Sequence, residues 1–157
     1  MCFETLLTVL GFVIQIFKFE LHTTQMYLVI STIPHFFSIL PLIKYYNKYT
    51  FGYINIIILS TTLSILYHTY DESNKIINFF DYCCAGVWFL YDLHMGYKYT
   101  NKKILYKIIL SNSISFFLNN KITHNTYYQL NHSLWHLINA YKCFYVSNLI
   151  RISMQFN

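Results

Sequence analysis

The stretch Asn131–Ala140 reads NHSLWHLINA and lies in a long apolar run near the C-terminus. It carries two histidines, His132 and His136, four residues apart. Residues at this spacing lie one turn apart on the same face of an α-helix. Two imidazoles placed in this way can bind one metal ion. The stretch therefore predicts a helix with His132 and His136 as candidate metal ligands.

The composition of the chain favours a bundle of membrane helices. Its 157 residues are 55% apolar and only 11% charged, with 4 glycines and 2 prolines. Such a chain is too apolar for a disordered protein and for an ordinary water-soluble domain. We therefore expect an all-α, polytopic transmembrane bundle that forms a single domain over residues 1–157.

Six apolar runs, separated by short polar segments, predict six membrane spans. They cover residues 3–19, 26–46, 51–70, 76–97, 104–118 and 127–150. The fifth run is the weakest because it contains several serines and asparagines. The second contains Pro34 and Pro41, which membrane helices tolerate as kinks.

Each span reverses the direction of the chain, and this brings distant residues to one face of the membrane. His68 ends the third run, Asp81 lies near the start of the fourth, and the histidine pair lies near the start of the sixth. With a rise of about 1.5 Å per residue, all lie within roughly two turns of the same face. Ser64 precedes His68 by one turn. We predict His68, His132 and His136 as metal ligands, with Asp81 and Ser64 beside them.

The net charge of +5 fits the loops of a membrane protein better than a nucleic-acid partner. Lys98, Lys102 and Lys103 lie in a short gap between two apolar runs, where the positive-inside rule places basic residues. The sequence shows no basic stripe interleaved with elements that read a groove, so we expect no nucleic-acid binding. The same rule predicts that both termini are cytosolic and that the site opens to the lumen or exterior.

The predicted group of side chains matches a catalytic zinc site. Three neutral imidazoles bind Zn²⁺ and leave a fourth coordination position open for water. Asp81 would act as the general base, and Ser64 would hydrogen-bond the water or the developing oxyanion. Because the site lies near the lipid headgroups, we expect the substrate to be a membrane lipid amide or ester.

Each of these residues also has a simpler interpretation. A histidine pair on a helix more often bonds a neighbouring backbone group or hydroxyl than a metal. Asp81 can pair with a tyrosine hydroxyl or a histidine, and Ser64 can bond to its own helix. The remaining histidines lack a partner at helical spacing and are weaker candidates: His22, His35, His94 and His124.

The motifs Ser64-x-x-x-His68, Asp81 and His132-x-x-x-His136 resemble those of the CREST superfamily of membrane hydrolases. This group includes alkaline ceramidases, the progestin and adipoQ receptors, and the GPI-processing lipase and myomaker branch, to which residues 67–71, YHTYD, are most similar. The resemblance implies a helical bundle with Zn²⁺ on the three histidines, and with Asp81 and Ser64 around the metal-bound water. The family usually has seven spans, so six would be a reduced form of its fold.

Three functions remain open at this point. The first is a Zn²⁺-dependent intramembrane hydrolase of a lipid amide or ester. The second is a non-catalytic multi-pass membrane protein with a structural metal site, acting in membrane remodelling or assembly. The third, a haem protein, would need histidines on facing helices some distance apart, whereas His132 and His136 share one helix. The substitution Asp81→Asn distinguishes the first two functions, because it should abolish hydrolysis but leave a structural zinc site intact.

Overall fold

The computed structural model describes residues 23–70, 72, 74–99, 106–114 and 128–155, and in these ranges all regular structure is helical. The all-α class predicted from the sequence is thus confirmed for this part of the chain. The elements in chain order are α1 (Thr23–Thr32), a 3-10 helix (Ile33–Ile39), α2 (Leu40–Ile43), α3 (Lys48–Thr69), α4 (Lys75–Tyr99), α5 (residues 106–114) and α6 (Tyr128–Gln155).

The first three elements form one helical segment that changes type at its prolines. Pro34 stands in the first turn of the 3-10 helix, and Pro41 stands in the first turn of α2. Proline lacks a backbone N–H, and its ring clashes with the carbonyl four residues earlier, so it interrupts α-helical hydrogen bonding. The resulting 3-10 turns bury His35 and Ser38 against the rest of the bundle.

Three segments are long and apolar enough to cross a membrane: Met26–Ile43, Thr50–Thr69 and Lys75–Lys98. They match the second, third and fourth predicted spans. The first predicted span lies outside the described residues, and only part of the fifth lies within them.

Helix α6 has 28 residues, but it is not apolar enough to count as a span because polar residues occur along its length, among them His132, Asn139 and Lys142 at buried positions. The described residues therefore support a membrane protein with three candidate spans. They do not support the predicted six.

Helix α6 occupies the centre of the packing. It contacts α1, the 3-10 helix, α2 and α4, while α3 packs against α1 and α4. The apolar core lies toward the start of α3 and the end of α6, and its members include Leu42, Tyr53, Ile57, Met95, Val146 and Ile150. The opposite end of the bundle, where α3 ends and α6 begins, is left for polar side chains.

Helix α4 exposes large apolar side chains on its outer face, including Phe79, Phe80 and Leu90. A contiguous apolar surface of this kind is unusual on a protein surrounded by water. It is expected on a helix that faces lipid, where apolar side chains need no protein partner. The exposure of α4 therefore agrees with its length and composition as a membrane span.

Candidate metal centre

The structure brings His68, His132 and His136 together. His68 comes from the last turn of α3, and the other two come from the first half of α6. One ring nitrogen from each lies within 4.8 Å of the others, and the Nε2 atoms of His68 and His136 are 3.0 Å apart. The side chains are 0%, 9% and 1% exposed, respectively. This buried triad could hold a metal ion.

One pair of nitrogens lies near the spacing of a tetrahedral zinc site. A zinc–nitrogen bond of about 2.0–2.1 Å implies nitrogens roughly 3.4 Å apart around a tetrahedron. The Nε2 atoms of His68 and His136 are 3.0 Å apart, while the 4.8 Å within which all three nitrogens lie is wider than that spacing. Without a cation, the close approach of His68 to His136 requires one Nε2 to carry a proton and the other to accept it.

Glu72 orients the ring of His68. The carboxylate can only accept a hydrogen bond, so Nδ1 of His68 donates to Oε1 of Glu72, at 2.8 Å. In a neutral ring this leaves the lone pair on Nε2, the atom that faces His136. Metal-binding histidines usually donate their second ring N–H to a carboxylate in this way, which fixes the tautomer and raises ligand basicity.

Tyr128 in turn holds Glu72. Its hydroxyl donates to Oε1 and Oε2 of the carboxylate, at 2.9 and 2.8 Å. Burial alone would raise the pKa of Glu72, but the hydrogen bonds from His68 and Tyr128 lower it, so the carboxylate is charged at neutral pH. Because Tyr128 precedes His132 by one turn, this link ties the start of α6 to the end of α3.

The backbone of Glu72 is strained. Its φ of 54° lies in the left-handed region, which costs energy for a residue with a side chain. Its N–H donates to the carbonyl of Tyr67 at 3.1 Å and closes the C-terminus of α3, an arrangement in which glycine is the usual residue. Placing a glutamate here sets its carboxylate beside His68.

A cavity of about 450 Å³ adjoins the triad, and His136, Ser64 and Asp81 all line it. A smaller pocket of about 60 Å³ is lined by Asp81, His132 and Tyr128. Asp81 therefore lies on walls that reach both histidines of α6. It is not part of the nitrogen cluster itself.

Ser64 carries a buried hydroxyl whose Oγ has no hydrogen-bond partner among the described residues. The simpler interpretation, in which this serine bonds to its own helix, is therefore wrong. Thr69, five residues later on the same helix, does bond to the carbonyl of Ile65, at 2.7 Å. A buried hydroxyl left unpaired beside a polar site is available to a ligand.

His35 lies against the site from a different helix. It is buried, its Nδ1 donates to the carbonyl of Thr32 at 2.8 Å, and its ring packs edge-on against His136 and Trp88. Sequence spacing missed it because its neighbours come from other helices. Of the other weaker candidates, His94 is exposed, and His22 and His124 lie outside the described residues.

A buried ion pair lies deeper in the bundle and was not predicted. Nζ of Lys142 on α6 lies 2.5 Å from Oδ2 of Asp92 on α4. Tyr53 on α3 donates to Oδ1 of Asp92 at 2.7 Å, and Lys142 donates to Oδ1 of Asn112 on α5 at 2.8 Å. Four helices thus meet at one charged pair.

Two of the missed residues did carry a signal in the sequence. Glu72 follows His68 by four residues, and Tyr128 precedes His132 by four. This is the same one-turn spacing that pointed to the histidine pair. A search four residues to either side of each candidate ligand would have found both Glu72 and Tyr128.

No protein-family model matches the chain, and neither a curated protein nor a solved structure matches it significantly. Function is therefore inferred from the site itself rather than from a relative.

Proposed function

We propose that this chain is a multi-pass membrane hydrolase of the CREST type that uses Zn²⁺ to cleave a lipid amide or ester. One observation carries the proposal. Three buried imidazoles, those of His68, His132 and His136, converge beside a cavity that is lined by His136 and that also presents Asp81 and the unpaired hydroxyl of Ser64. This is the donor set of a catalytic zinc site together with the acid–base groups that hydrolysis needs.

The choice of zinc rests on the donors and on the space beside them. Three neutral nitrogen donors suit zinc, and three protein ligands with one open position mark catalytic rather than structural sites. The cavity next to His136 leaves room for that fourth position. When bound, zinc supplies a Lewis acid and a water nucleophile that is active at neutral pH.

The side chains around the triad have separate roles. Asp81, on the cavity wall, takes the proton from the attacking water and returns it to the leaving group. Ser64 donates a hydrogen bond from its hydroxyl to the oxyanion that develops on the substrate carbonyl. Glu72 and Tyr128 keep His68 in the tautomer that presents Nε2 to the site.

A lipid substrate follows from the walls of the cavity and from its surroundings. Ala85, Trp88 and Phe89 of α4 form an apolar wall, and the outer face of the same helix exposes phenylalanines. A site lined in this way, within helices apolar enough to cross a bilayer, is best reached by a molecule that already resides in the membrane.

We retain the six predicted spans in this proposal, with both termini in the cytosol. The distribution of basic residues supports the orientation and not the number of spans. Lys44 follows α2, Lys98 lies in the last turn of α4, and Arg151 lies near the end of α6. All three lie at the end of the bundle opposite the histidines. By the positive-inside rule that end is cytosolic and the metal centre opens to the lumen or exterior.

The alternative is a non-catalytic membrane protein that retains the metal for stability and acts in membrane remodelling or assembly. One observation favours it: the three histidines are almost fully buried, and structural metal sites are closed. In that case the cavity would bind no substrate.

Hydrolysis assays on the detergent-purified, zinc-loaded chain test the proposal. Release of fatty acid from a ceramide-type amide and a phospholipid ester would be followed by mass spectrometry. We expect Asp81→Asn to lower the rate about 10²–10⁴-fold, the range for loss of a general base, while zinc stays bound. The exposed variant Tyr97→Phe, on the same helix but outside both cavities, serves as the control. No hydrolysis by zinc-loaded wild type would favour the non-catalytic alternative, and equal measurable rates for wild type and Asp81→Asn would contradict the role of Asp81 as the general base.

A further inference from the structure

Polar side chains line the cavity beside the metal centre along its length. His136 and Ser64 lie at the histidine end, and Thr61, Asn112 and Lys142 form the lower end, while Ser60 and Asn139 also line the wall. Thr61 precedes His68 by seven residues, and Lys142 follows His136 by six, so at about 1.5 Å per residue both lie roughly 10 Å below the histidines. The wall that α4 contributes between the two ends is formed mainly by Ala85, Gly86, Trp88 and Phe89.

Thr61 carries an unused hydroxyl at the lower end. Its side chain is 1% exposed, and its Oγ1 has no hydrogen-bond partner within the described ranges. Thr32 and Thr69 bond to the carbonyl four residues earlier, at 2.8 and 2.7 Å, whereas Thr61 and its neighbour Thr62 do not, and of these two only Thr61 lines the cavity. A buried hydroxyl without a partner is costly, and this one lies on a cavity wall where a ligand group can satisfy it.

The lower end is polar but already neutral. The charge of Lys142 is balanced by Asp92 at 2.5 Å, and Asn112 accepts a further hydrogen bond from the same ammonium. A carboxylate or an amine added here would be a buried charge without a counter-charge, which is strongly unfavourable. A neutral hydroxyl or carbonyl would carry no such cost.

We propose that the cavity binds an elongated ligand with two polar groups, one at the histidines and a second, neutral one about 10 Å away that hydrogen-bonds to Thr61. The inference rests on the proposed function and narrows its substrate class. The substrate is a lipid whose chain carries a hydroxyl or carbonyl beyond the bond that is cleaved, within reach of Thr61.

The chain contains a built-in reporter of occupancy. Its 2 tryptophans are Trp88 and Trp135, and both line the cavity. Tryptophan emission of the detergent-purified chain can therefore follow the titration of octane-1,8-diol and, as the probe with a single polar end, octan-1-ol. Neither probe contains a bond that the proposed reaction would cleave.

We expect the diol to bind wild type about fivefold more tightly than it binds Thr61→Val, the effect of one neutral hydrogen bond. Thr61→Ser keeps the hydroxyl and should bind like wild type. Thr69→Val removes a hydroxyl of the same helix that does not line the cavity, and it should also bind like wild type. Octan-1-ol should not distinguish Thr61→Val from wild type.

The inference is overturned if Thr61→Val binds the diol as tightly as wild type, or if it weakens both probes equally. Its failure is distinct from failure of the proposed function because binding is read without turnover. If Thr61→Val weakens diol binding but the wild-type chain hydrolyses no lipid, only the proposed hydrolase function is contradicted. An active hydrolase in which Thr61→Val does not change diol binding contradicts the second polar group alone.

Discussion

Nδ1 of His68 donates to Oε1 of Glu72 at 2.8 Å, across the C-terminal turn of α3. The bond directs the lone pair of Nε2 toward His136, and it depends on a left-handed backbone at Glu72. A residue held in a strained conformation beside a candidate ligand has a role other than packing. The metal centre is therefore larger than its three histidines, and its supporting residues can be tested separately.

Glu72→Gln should weaken zinc binding about 10–100-fold, the usual cost of losing a group that orients a metal-binding histidine. Glutamine keeps the size of the side chain but removes the charge that holds the Nδ1 proton of His68. Competition with a fluorescent chelator measures the affinity. Lys75→Gln, an exposed charge change just after the same turn, should leave the affinity within twofold of wild type.

Tyr128→Phe should have a smaller effect in the same direction. It removes the hydrogen bonds to both carboxylate oxygens of Glu72 but leaves the bond from His68. A hydrogen bond to a charged group contributes about 1.5–3 kcal/mol, part of which water can restore, so we expect zinc affinity to fall between threefold and tenfold. The exposed Tyr141 on the same helix provides the matched control, Tyr141→Phe. A larger loss of zinc affinity in Tyr128→Phe than in Glu72→Gln would contradict the arrangement in which Tyr128 acts on His68 through Glu72.

Asp92→Asn should destabilise the bundle by about 3–5 kcal/mol, because it leaves the ammonium of Lys142 buried without its counter-charge. The double variant Asp92→Leu/Lys142→Met removes both charges. Its cost in unfolding free energy should be much less than the sum of the costs of Asp92→Leu alone and Lys142→Met alone. Reversible unfolding in mixed detergent micelles gives the free energies for this cycle. Additive costs for the two changes would mean that the pair is not coupled.

Spacing and chain reversal predicted the meeting of His68 with His132 and His136. Helical periodicity fixes which side chains share a face, and the number of reversals fixes which helix ends lie together. Both can be read from the order of apolar and polar residues. Ser64 was placed by the same reasoning, and it does line the cavity beside His136.

What the sequence did not reveal depends on how each helix is rotated about its axis. The pairing of Asp92 with Lys142 and the packing of His35 on His136 join residues from different helices. No spacing within one helix encodes such a contact, because packing sets the rotation. Glu72 was missed for another reason: it follows His68 at the one-turn spacing, but it lies beyond the end of α3 and outside the apolar run in which candidates were sought.

The polar residues that form the site also make the number of spans hard to predict from composition. His132, Asn139 and Lys142 lower the apolar character of α6, so composition alone does not mark this helix as a span. Polar side chains in a membrane helix are tolerated where they face the bundle interior, and these three are buried. Apolar length is therefore a poor guide for the helix that carries the site.

The most direct test is the metal content of the detergent-purified protein, measured by elemental analysis for wild type and for His132→Ala/His136→Ala. The structure leads us to expect about one zinc per chain in wild type and none in the double variant, since two of its three ligands are gone. His94→Ala, which removes an exposed histidine of α4, should keep the zinc. Folded wild-type protein without bound metal, or a double variant that retains it, would contradict the metal centre.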